Sequence, residues 1–345
     1  MKKVSVVVPC YNTAKYLGKC MEHLLHQTIG IENMEIILVD DASTDDGETW
    51  ELITEFETQY PDVIIAVSLE QNLRQGGARN AGISYAGGEY LIFCDADDWL
   101  LEEALEHCYR AAKEYDADVV EFMIKDVNDH ECLVPLEKGE GSRLIEINTE
   151  EERKKFLLEV NDQISLGSQK KLYRLSLLKD NHIAFAEHRI FEEPSFMLPV
   201  KMYERKHYYL DEYLYICYLS PGSTVRSNWG EHKWDNPKVW LHLIDELAQR
   251  DLLQKYYEEI EYLFFAWGCT LSIRMALQRG YVLTKEEFAF LVDMTLGLFP
   301  KVMDNQYVKQ DADRNVWKRL IVTLFNMEFT EESAHAANEI LRKYL

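Results

Sequence analysis

Two hydrophobic periodicities alternate through the first 125 residues, and this alternation constrains the fold more than any other feature of the chain. Short apolar runs predict buried strands, and the segments between them carry apolar residues at helical spacing. The predicted strands are residues 4–8, 34–39, 63–67, 89–94 and 117–123. Alternating strands and helices at this spacing are typical of a parallel sheet covered by helices. We therefore expect an α/β fold with a mostly parallel central sheet and helices on both faces.

The remaining predicted elements divide the chain into two parts. The helices between the strands start near Asn12 or Thr13 and otherwise occupy residues 50–60, 75–86 and 100–115. Residues 126–147 are polar and predict a loop or small hairpin that leaves the sheet, whereas the aromatic segment 206–218 predicts a strand closed by a turn at 220–223. Helical patterns then cover residues 236–256, 257–279, 284–299 and 311–325. We expect a main domain over residues 1–225 and a helical C-terminal appendage over residues 226–345.

Polar side chains stand where the predicted strands end, which is where parallel sheets bind ligands. These ends read Pro9-Cys10-Tyr11-Asn12, Asp40-Asp41 and Asp95-Ala96-Asp97-Asp98. The carboxylates of the third segment suit Mg²⁺ or Mn²⁺, which takes its other ligands from water and a substrate diphosphate. A solvated turn in which Asp97 or Asp98 caps the next helix is the structural alternative. Both interpretations remain open for the aspartate pairs.

The charge balance limits the partners of the chain. Sixty acidic residues face 37 basic ones, which gives a net charge of −23. Such a field repels phosphate backbones and disfavours nucleic-acid binding. It leaves room for a local phosphate site, because a bound cation can hold an anionic ligand.

Cysteine spacing and hydropathy indicate the compartment. Seven scattered cysteines without a CxxC pair predict free thiols in a reducing cytosol. The apolar run at the N-terminus stops at Pro9, too early for a signal peptide. No stretch approaches the roughly 18 apolar residues that span a bilayer. We expect a cytoplasmic protein without a transmembrane segment, while peripheral membrane association and oligomerisation remain open.

Four motifs in order carry a resemblance to a known family. They are residues 4–12, 36–45, 72–80 and 90–99, which read VSVVVPCYN, IILVDDASTD, NLRQGGARN and YLIFCDADDW. Together they closely resemble family 2 inverting glycosyltransferases of the GT-A fold, of the type that builds bacterial cell-surface glycans. The resemblance covers residues 3–125 and continues more weakly through residues 167–223.

The resemblance implies a role for each residue of a donor site. Pro9 and Tyr11 would border the nucleotide base, with Tyr11 stacking on it. Asp41 would accept the imide proton of the base, and Asp40 would support it. Arg74 resembles the family's basic residue near the base and the diphosphate. Arg79 is interpreted as structural. For both arginines, the alternative is a solvated charge on a surface helix.

The same resemblance implies a metal and a sugar contact. Asp97 would be the main protein ligand of Mn²⁺ or Mg²⁺, and Asp95 would face the ribose and the sugar beside it. Trp99 could form an apolar wall for a sugar ring, with core packing as its alternative. His188 could orient a carboxylate or touch the metal, although a lone histidine is commonly a surface or packed residue.

Inverting transfer also needs a carboxylate that takes the acceptor's hydroxyl proton. The family usually supplies an aspartate after a glutamate at a helix start, and this chain has Phe191-Glu192-Glu193-Pro194 there. Glu193 occupies the aspartate position and is the predicted base, with Glu192 second. The structural alternative is a helix N-terminus whose acids complement the dipole, with Pro194 in its first turn.

These residues predict a metal-dependent inverting glycosyltransferase. It would move a hexosyl or N-acetylhexosaminyl group from a nucleotide sugar, UDP-linked by the resemblance, to a hydroxyl of a glycan, lipid-linked or protein acceptor. A nucleotide-sugar-binding subunit with a weak active site is the non-enzymatic alternative. A sugar nucleotidyltransferase is disfavoured, because the glycine-rich loop it needs after the first strand is absent.

Overall fold

The computed structural model describes residues 2–130, 132–160, 164–219 and 229–345. They form two compact units, Met1–Asn228 and Trp229–Leu345. The turn predicted at residues 220–223 lies outside the described residues.

One mixed sheet organises the first unit. Its described strands are β1 (Val4–Cys10), β2 (Met34–Asp40), β3 (Ile64–Ser68), β4 (Tyr90–Phe93), β5 (Trp99–Leu100), β6 (Val119–Val127), β7 (Glu137–Lys138), β8 (Arg143–Glu146), β9 (Lys171–Arg174) and β10 (Lys206–Tyr218). The strand order is β3-β2-β1-β4-β9-β6-β10-β5. The first four of these strands are parallel, as are β6 and β10, whereas β9 pairs antiparallel with both β4 and β6. Four of the five predicted strands therefore form the parallel half of the sheet that contains β1 and β2. The fifth, β6, is separated from them by the antiparallel β9.

Two predictions from the sequence are wrong in the half of the sheet that contains β6 and β10. The helix expected from residue 100 begins at Ala104, because the apolar pair Trp99–Leu100 forms an antiparallel strand against Ile216 and Tyr215. The segment expected to leave the sheet stays on it, since β7 and β8 each pair with β10. Both differences result from pairing with β10, a strand distant in sequence, and the local polarity of a segment does not reveal such a partner.

Helices cover both faces of this sheet. They are α1 (Ala14–Leu25), α2 (Glu48–Gln59), α3 (Arg74–Tyr85), α4 (Ala104–Tyr115), α5 (Glu150–Leu158), α6 (Leu175–Asp180) and α7 (Glu193–Tyr203). Side chains alternate along β1, so Val6 and Val8 join the core under α1 and α4, whereas Val7 joins the core under α3 and α7. Burial of the strand on both faces explains its continuous apolar sequence.

The loops after β1 and β2 are joined by hydrogen bonds. The Asn12 side-chain amide bonds Thr44 in both directions, donating to its hydroxyl at 3.2 Å and accepting from its backbone N–H at 2.7 Å. Asn12 is therefore not a helix cap, and Thr13 makes no side-chain cap. The Thr49 hydroxyl instead accepts from the backbone N–H groups of Thr13 and Ala14. This link fixes the two strand ends that carry Tyr11 and Asp41.

The second unit is helical, as the sequence predicts. Its helices are α8 (Trp229–His232), α9 (Asp235–Gln249), α10 (Leu252–Lys255), α11 (Tyr257–Leu263), a π-helix (Phe264–Thr270), α12 (Leu271–Gln278), α13 (Lys285–Leu298), α14 (Gln306–Arg314), α15 (Val316–Leu324) and α16 (Glu331–Arg342). The buried Asn236 amide donates to the carbonyl oxygens of Trp267 and Gly268 in the π-helix, and so ties α9 to that segment.

The continuous helical stretch Tyr257–Gln278 amends one expectation from the sequence. It is long and apolar enough to cross a membrane by length and composition. However, 67% of its most apolar window is buried inside the fold, as in the core helix of a helical bundle. The stretch is therefore weak evidence for a membrane span.

Candidate functional site

The ends of β1 and β2 place Asp40 and Asp41 side by side at the carboxyl edge of the sheet. Asp40 pairs with Cys10 in the strand register, and the Asp41 N–H donates to the Cys10 carbonyl at 2.8 Å. The Asp41 carboxylate accepts from the Leu73 N–H at 2.7 Å. Burial raises the pKa of Asp41 to about 6, although this hydrogen bond opposes the shift. Asp41 is thus a buried acceptor held between two strand-end loops.

Tyr11 follows β1 and is 42% exposed, an unusual state for a large aromatic side chain next to a buried strand. Pro9 is buried and pairs with Val39, so it is part of the packed end of β1. An exposed ring beside a buried carboxylate can stack on a planar base and leave the carboxylate to accept a hydrogen bond.

Arg74 begins α3 with a backbone φ of +66°. Its backbone N–H donates to the Asn72 side chain at 3.1 Å, which supports this strained turn. The guanidinium lies near enough to Asp41 to oppose the rise in the pKa of that carboxyl. Within the described ranges no hydrogen bond or ion pair engages the guanidinium. Arg74 is therefore a cation available to an anionic ligand.

Asp95, two residues beyond the end of β4, is held by three side-chain donors. Its Oδ1 accepts from Gln75 Nε2 at 2.8 Å and from Arg79 Nη2 at 2.9 Å. Its Oδ2 accepts from Gln169 Nε2 at 3.0 Å. These bonds fix the carboxylate in one orientation and use much of its acceptor capacity. Gln75 and Gln169 did not emerge from the sequence, because both depend on contacts between distant segments.

Asp97 and Asp98 have opposite environments. Asp98 is buried, and it accepts from the Tyr215 hydroxyl at 2.7 Å and the Tyr218 N–H at 2.8 Å. It therefore fastens the turn to β10. Asp97 is partly exposed, and no other described residue gives its carboxylate a hydrogen bond or ion pair. Neither residue caps the following helix, whose N-cap is Glu103.

The environment of Asp97 fits a metal ligand. Burial, and then the charge of Asp95, raise the pKa of Asp97 to about 6, so its anion lacks a compensating cation. Over the described residues no group of three histidine, cysteine or acidic side chains forms a complete metal cage. A single free carboxylate is nevertheless what Mg²⁺ or Mn²⁺ uses when phosphates and water supply the remaining ligands.

Arg79, interpreted as structural from the sequence, links two parts of the site. Its side chain is fully buried, so the alternative of a solvated surface charge is wrong for this arginine. Nη2 donates to Asp95, and Nη1 donates to Glu192 Oε1 at 2.9 Å. The guanidinium also lies 5.6 Å from the Phe93 ring centroid and 5.4 Å from that of Phe185. The available signal was spacing, since Arg79 shares the buried face of α3 with Gly76 and Ile83.

Glu192 and Glu193 stand together at the start of α7 but differ in their partners. Glu192 is 3% exposed and bound to Arg79, and burial followed by the charge of Glu193 raises the pKa of Glu192 to about 8. Glu193 is partly exposed, and burial raises its pKa as well. No other residue in the described ranges bonds the Glu193 carboxylate. Glu193 is thus the freer of the two acids.

The loop that carries Gln169 is supported by a buried ion network. Glu121 accepts from the Ser165 N–H at 3.0 Å and from Lys171 Nζ at 3.1 Å. Lys171 Nζ also donates to the Gly167 carbonyl at 2.5 Å. Burial alone would raise the pKa of Glu121, but Lys171 and His207 lower it to about 2. Glu121 therefore stays ionised near neutral pH, and its hydrogen bonds fix the segment from which Gln169 reaches Asp95.

The two remaining predicted contacts lie outside this cluster. Trp99 is 1% exposed and has Lys19 Nζ 4.2 Å from its ring centroid, so the core-packing alternative is correct and a sugar wall is not. His188 is exposed, with a backbone φ of +57°, and its N–H donates to the Leu73 carbonyl at 2.9 Å. Its backbone ties the loop before α7 to the start of α3, while a role for its ring stays a prediction.

All seven cysteines are free thiols.

Comparisons with known proteins place these residues in context. Residues 5–171 match the family described as Glycosyl transferase family 2. The chain is 31% identical over 238 residues to a poly(ribitol-phosphate) beta-glucosyltransferase of Bacillus spizizenii, covering 64% of this chain and 34% of that protein. It is 48% identical over 120 residues to glycosyltransferase GlyG of Streptococcus pneumoniae, covering 34% and 37%. The chain thus spans about a third of the length of these curated relatives.

The fold has a solved counterpart. The crystal structure of S. aureus TarS 1-349 in complex with UDP-GlcNAc superposes with a TM-score of 0.69 and 22% identity, covering 99% of this chain and 92% of that one. At this identity the likeness concerns the fold alone. It confirms the predicted GT-A type of α/β fold followed by a helical region.

Proposed function

Residues 5–171 belong to glycosyl transferase family 2, and from that premise we propose that the chain transfers one sugar from a nucleoside diphosphate sugar to a hydroxyl acceptor with inversion at the anomeric carbon. The observation that carries the proposal is the pairing of two free carboxylates around one fixed cluster. Asp97 stands free beside Asp95 on the donor side, and Glu193 stands free beside Glu192 on the other.

The donor side is proposed to hold a uridine diphosphate sugar. Tyr11 stacks on the base, Asp41 accepts the imide N–H, and Arg74 neutralises part of the diphosphate charge. Burial raises the pKa of Asp41, so a hydrogen bond from the imide N–H of a bound base would stabilise its anion. One relative named for glucosyl transfer, others named for N-acetylglucosaminyl transfer, and a structural neighbour solved with UDP-GlcNAc support UDP-glucose or UDP-N-acetylglucosamine as the donor.

A divalent cation completes the proposed donor site. Asp97 would hold Mn²⁺ or Mg²⁺, with Asp95 beside it, and the metal would stabilise the charge that develops on the leaving diphosphate. Asp95 itself is held by Arg79, Gln75 and Gln169, so its place is set before any ligand binds. A fixed carboxylate at this position can orient the ribose and sugar hydroxyls.

Glu193 is the proposed general base. Its carboxylate takes the proton from the acceptor hydroxyl while that oxygen bonds to the anomeric carbon. The bond from that carbon to the diphosphate breaks, and its electron pair leaves with the nucleotide. Burial raises the pKa of Glu193 above that of a free glutamate, which makes its anion a better proton acceptor.

The acceptor is proposed to be a hydroxyl of a polyol-phosphate or related cell-surface glycan. The support is the names of the relatives, several of which act on poly(ribitol-phosphate). The net charge of −23 would repel such a polyanion at long range, so its binding would depend on local cations and moderate salt.

A nucleotide-release assay tests the proposal. The full chain is incubated with UDP-glucose, UDP-N-acetylglucosamine or GDP-mannose, with and without Mn²⁺, and with a ribitol-phosphate oligomer as acceptor. We expect UDP release from one uridine donor that increases with Mn²⁺ and with the acceptor. Binding of UDP without any release would instead indicate a nucleotide-sugar-binding subunit, and formation of UTP and sugar 1-phosphate when pyrophosphate is added would indicate a nucleotidyltransferase.

A further inference from the structure

Arg79 joins two carboxylates that come from distant parts of the chain. Asp95 follows β4, and Glu192 precedes α7, yet both bond the same guanidinium at 2.9 Å. The first belongs to the proposed donor side and the second adjoins the proposed base. The guanidinium is planar and rigid, so two bonds to its two terminal nitrogens fix the separation of the two carboxylates.

The two partners of Arg79 depend on it unequally. Asp95 has two other side-chain donors, Gln75 and Gln169. The Glu192 carboxylate has, among the side chains that the structure describes, Arg79 alone as hydrogen-bond donor. Loss of the guanidinium would therefore leave Asp95 largely in place and release Glu192.

The surroundings of Arg79 hold it in one position. The guanidinium lies close to the rings of Phe93 and Phe185, and its side chain has no solvent exposure. Gly76, one turn earlier on α3, lets that helix approach the loop before α7. A Cβ at Gly76 would lie 2.6 Å from the Ala186 carbonyl oxygen and 3.0 Å from Glu192 Cγ. Close packing on every side makes an alternative rotamer of Arg79 costly.

We propose, building on the transfer reaction above, that Arg79 is a positioning residue that anchors Glu192 to the donor-side Asp95 and thereby sets the place of the adjoining Glu193. The guanidinium is fully buried, so in this role it does not itself contact the sugar or the acceptor. It acts through Glu192, whose anchored side chain fixes the first turn of α7, where Glu193 begins the helix. It also occupies Glu192, which leaves Glu193 as the carboxylate that meets the acceptor hydroxyl.

The test compares Arg79→Lys with the parent in transfer, in UDP binding and in structure. Lysine keeps the charge, but one ammonium cannot reproduce the planar pair of bonds. We expect kcat to fall about 10- to 100-fold, the effect of a displaced reacting group, while the KM for the sugar donor and the Kd for UDP change by less than about threefold, because Asp95 keeps two donors. A crystal structure of Arg79→Lys with UDP should show Glu192 turned away from Asp95.

Two further variants separate positioning from general stability. Glu192→Gln retains an oxygen that can accept from Arg79 and should lose much less kcat than Glu192→Leu, which removes the bond. The Arg79→Lys, Glu192→Leu double variant should lose no more kcat than either single change, because both break one interaction. Arg153→Lys is the matched control. Arg153 is also buried and donates to the Lys201 and Glu204 carbonyls, so its replacement should lower Tm without lowering kcat.

Three results would overturn the proposal. They are an unchanged kcat in Arg79→Lys, a parallel loss of kcat and UDP affinity, and a crystal structure in which Glu192 and Glu193 keep their parent positions. If the parent releases no UDP from any sugar donor, the proposed function fails. The crystal structure of Arg79→Lys still shows whether Arg79 anchors Glu192, so the two failures can be told apart. If Arg79→Lys does not fold, the contrast between Glu192→Gln and Glu192→Leu gives the same decision.

Discussion

At the scale of single residues, the site is a set of carboxylates that burial makes reluctant to ionise. Asp41, Asp97, Glu192 and Glu193 all have raised pKa values with burial as the largest cause. A protein tolerates such groups when a ligand or a reaction uses them. Burial raises the pKa of Asp98 as well, but this carboxylate differs from the others because its two hydrogen bonds to β10 give it a structural role.

Asp97→Asn tests whether the unpaired charge of Asp97 lowers stability while it serves metal binding. The folded-state pKa of Asp97, about 6, exceeds that of an unfolded aspartate, so the folded chain binds the proton more tightly. Stability is therefore lost as pH rises from about 4 to about 6, by at most about 3 kcal/mol. We expect Asp97→Asn to unfold at higher denaturant concentration than the parent at pH 7.5, and at an equal concentration near pH 4.

The same variant should lose Mn²⁺-dependent UDP binding and sugar transfer. Denaturant unfolding at the two pH values, followed by calorimetric titration with UDP and Mn²⁺, checks both parts. A variant that is less stable than the parent at pH 7.5, or that keeps the manganese dependence, would show that Asp97 is not the metal ligand.

Glu193→Gln tests the assignment of the base. The change keeps the size of the side chain and removes its proton-accepting charge, so transfer should fall by about 10²-fold or more. UDP affinity should hardly change, because Glu193 acts on the acceptor. Glu192→Gln should lose less, since its amide oxygen can still bond Arg79. Initial rates and UDP titrations measure these effects, and the reverse order of the two losses would make Glu192 the base.

At the scale of helices and strands, the sequence predicted what local patterns encode. The apolar runs of β2 and β4 and the acids that follow them were sufficient to locate Asp41 and Asp97. The antiparallel strand at Trp99–Leu100 and the anchoring role of Arg79 were beyond reach, because both depend on segments more than 100 residues away, Tyr215–Ile216 and Glu192. Local propensity carries no information on such partners.

Gly76→Ala tests the close approach of α3 to the loop before α7. The new methyl group would clash with the Ala186 carbonyl and with Glu192, so we expect a loss of about 1–3 kcal/mol in stability and at least a tenfold lower transfer rate. Gly18→Ala in α1 is the matched control, since nothing lies within 4 Å of its Cβ position.

The control should raise stability by up to about 1 kcal/mol, because alanine replaces glycine inside a helix. Denaturant unfolding and transfer rates of both variants give the comparison. Equal behaviour of the two alanine variants would mean that α3 does not set the position of Glu192.

At the scale of the whole chain, the described residues form two compact units, and the residues of the proposed site lie in the first. Within that unit the sheet interleaves distant segments, since β9 lies between β4 and β6, and β10 lies beside β6. A fragment that ended before β10 would expose both the edge of β6 and the apolar core beneath it.

Limited proteolysis of the full chain checks this interleaving. We expect the smallest stable fragment with the native N-terminus to extend past residue 218, because β10 and α7 complete the first unit. Mass spectrometry of the digest identifies the fragment ends. A stable fragment that ends before residue 125 would show that the N-terminal strands and helices fold alone.

The most direct test of the proposed activity is the stereochemistry of the first product. The parent and Glu193→Gln are incubated with an α-linked UDP-sugar and Mn²⁺, with or without a ribitol-phosphate acceptor, and ¹H NMR follows the anomeric proton from the first minutes. A single displacement with Glu193 as the base predicts a β-configured product from the parent, formed about 10²-fold more slowly by the variant. An α-configured product, or equal rates for the two proteins, would contradict inverting transfer with Glu193 as the base.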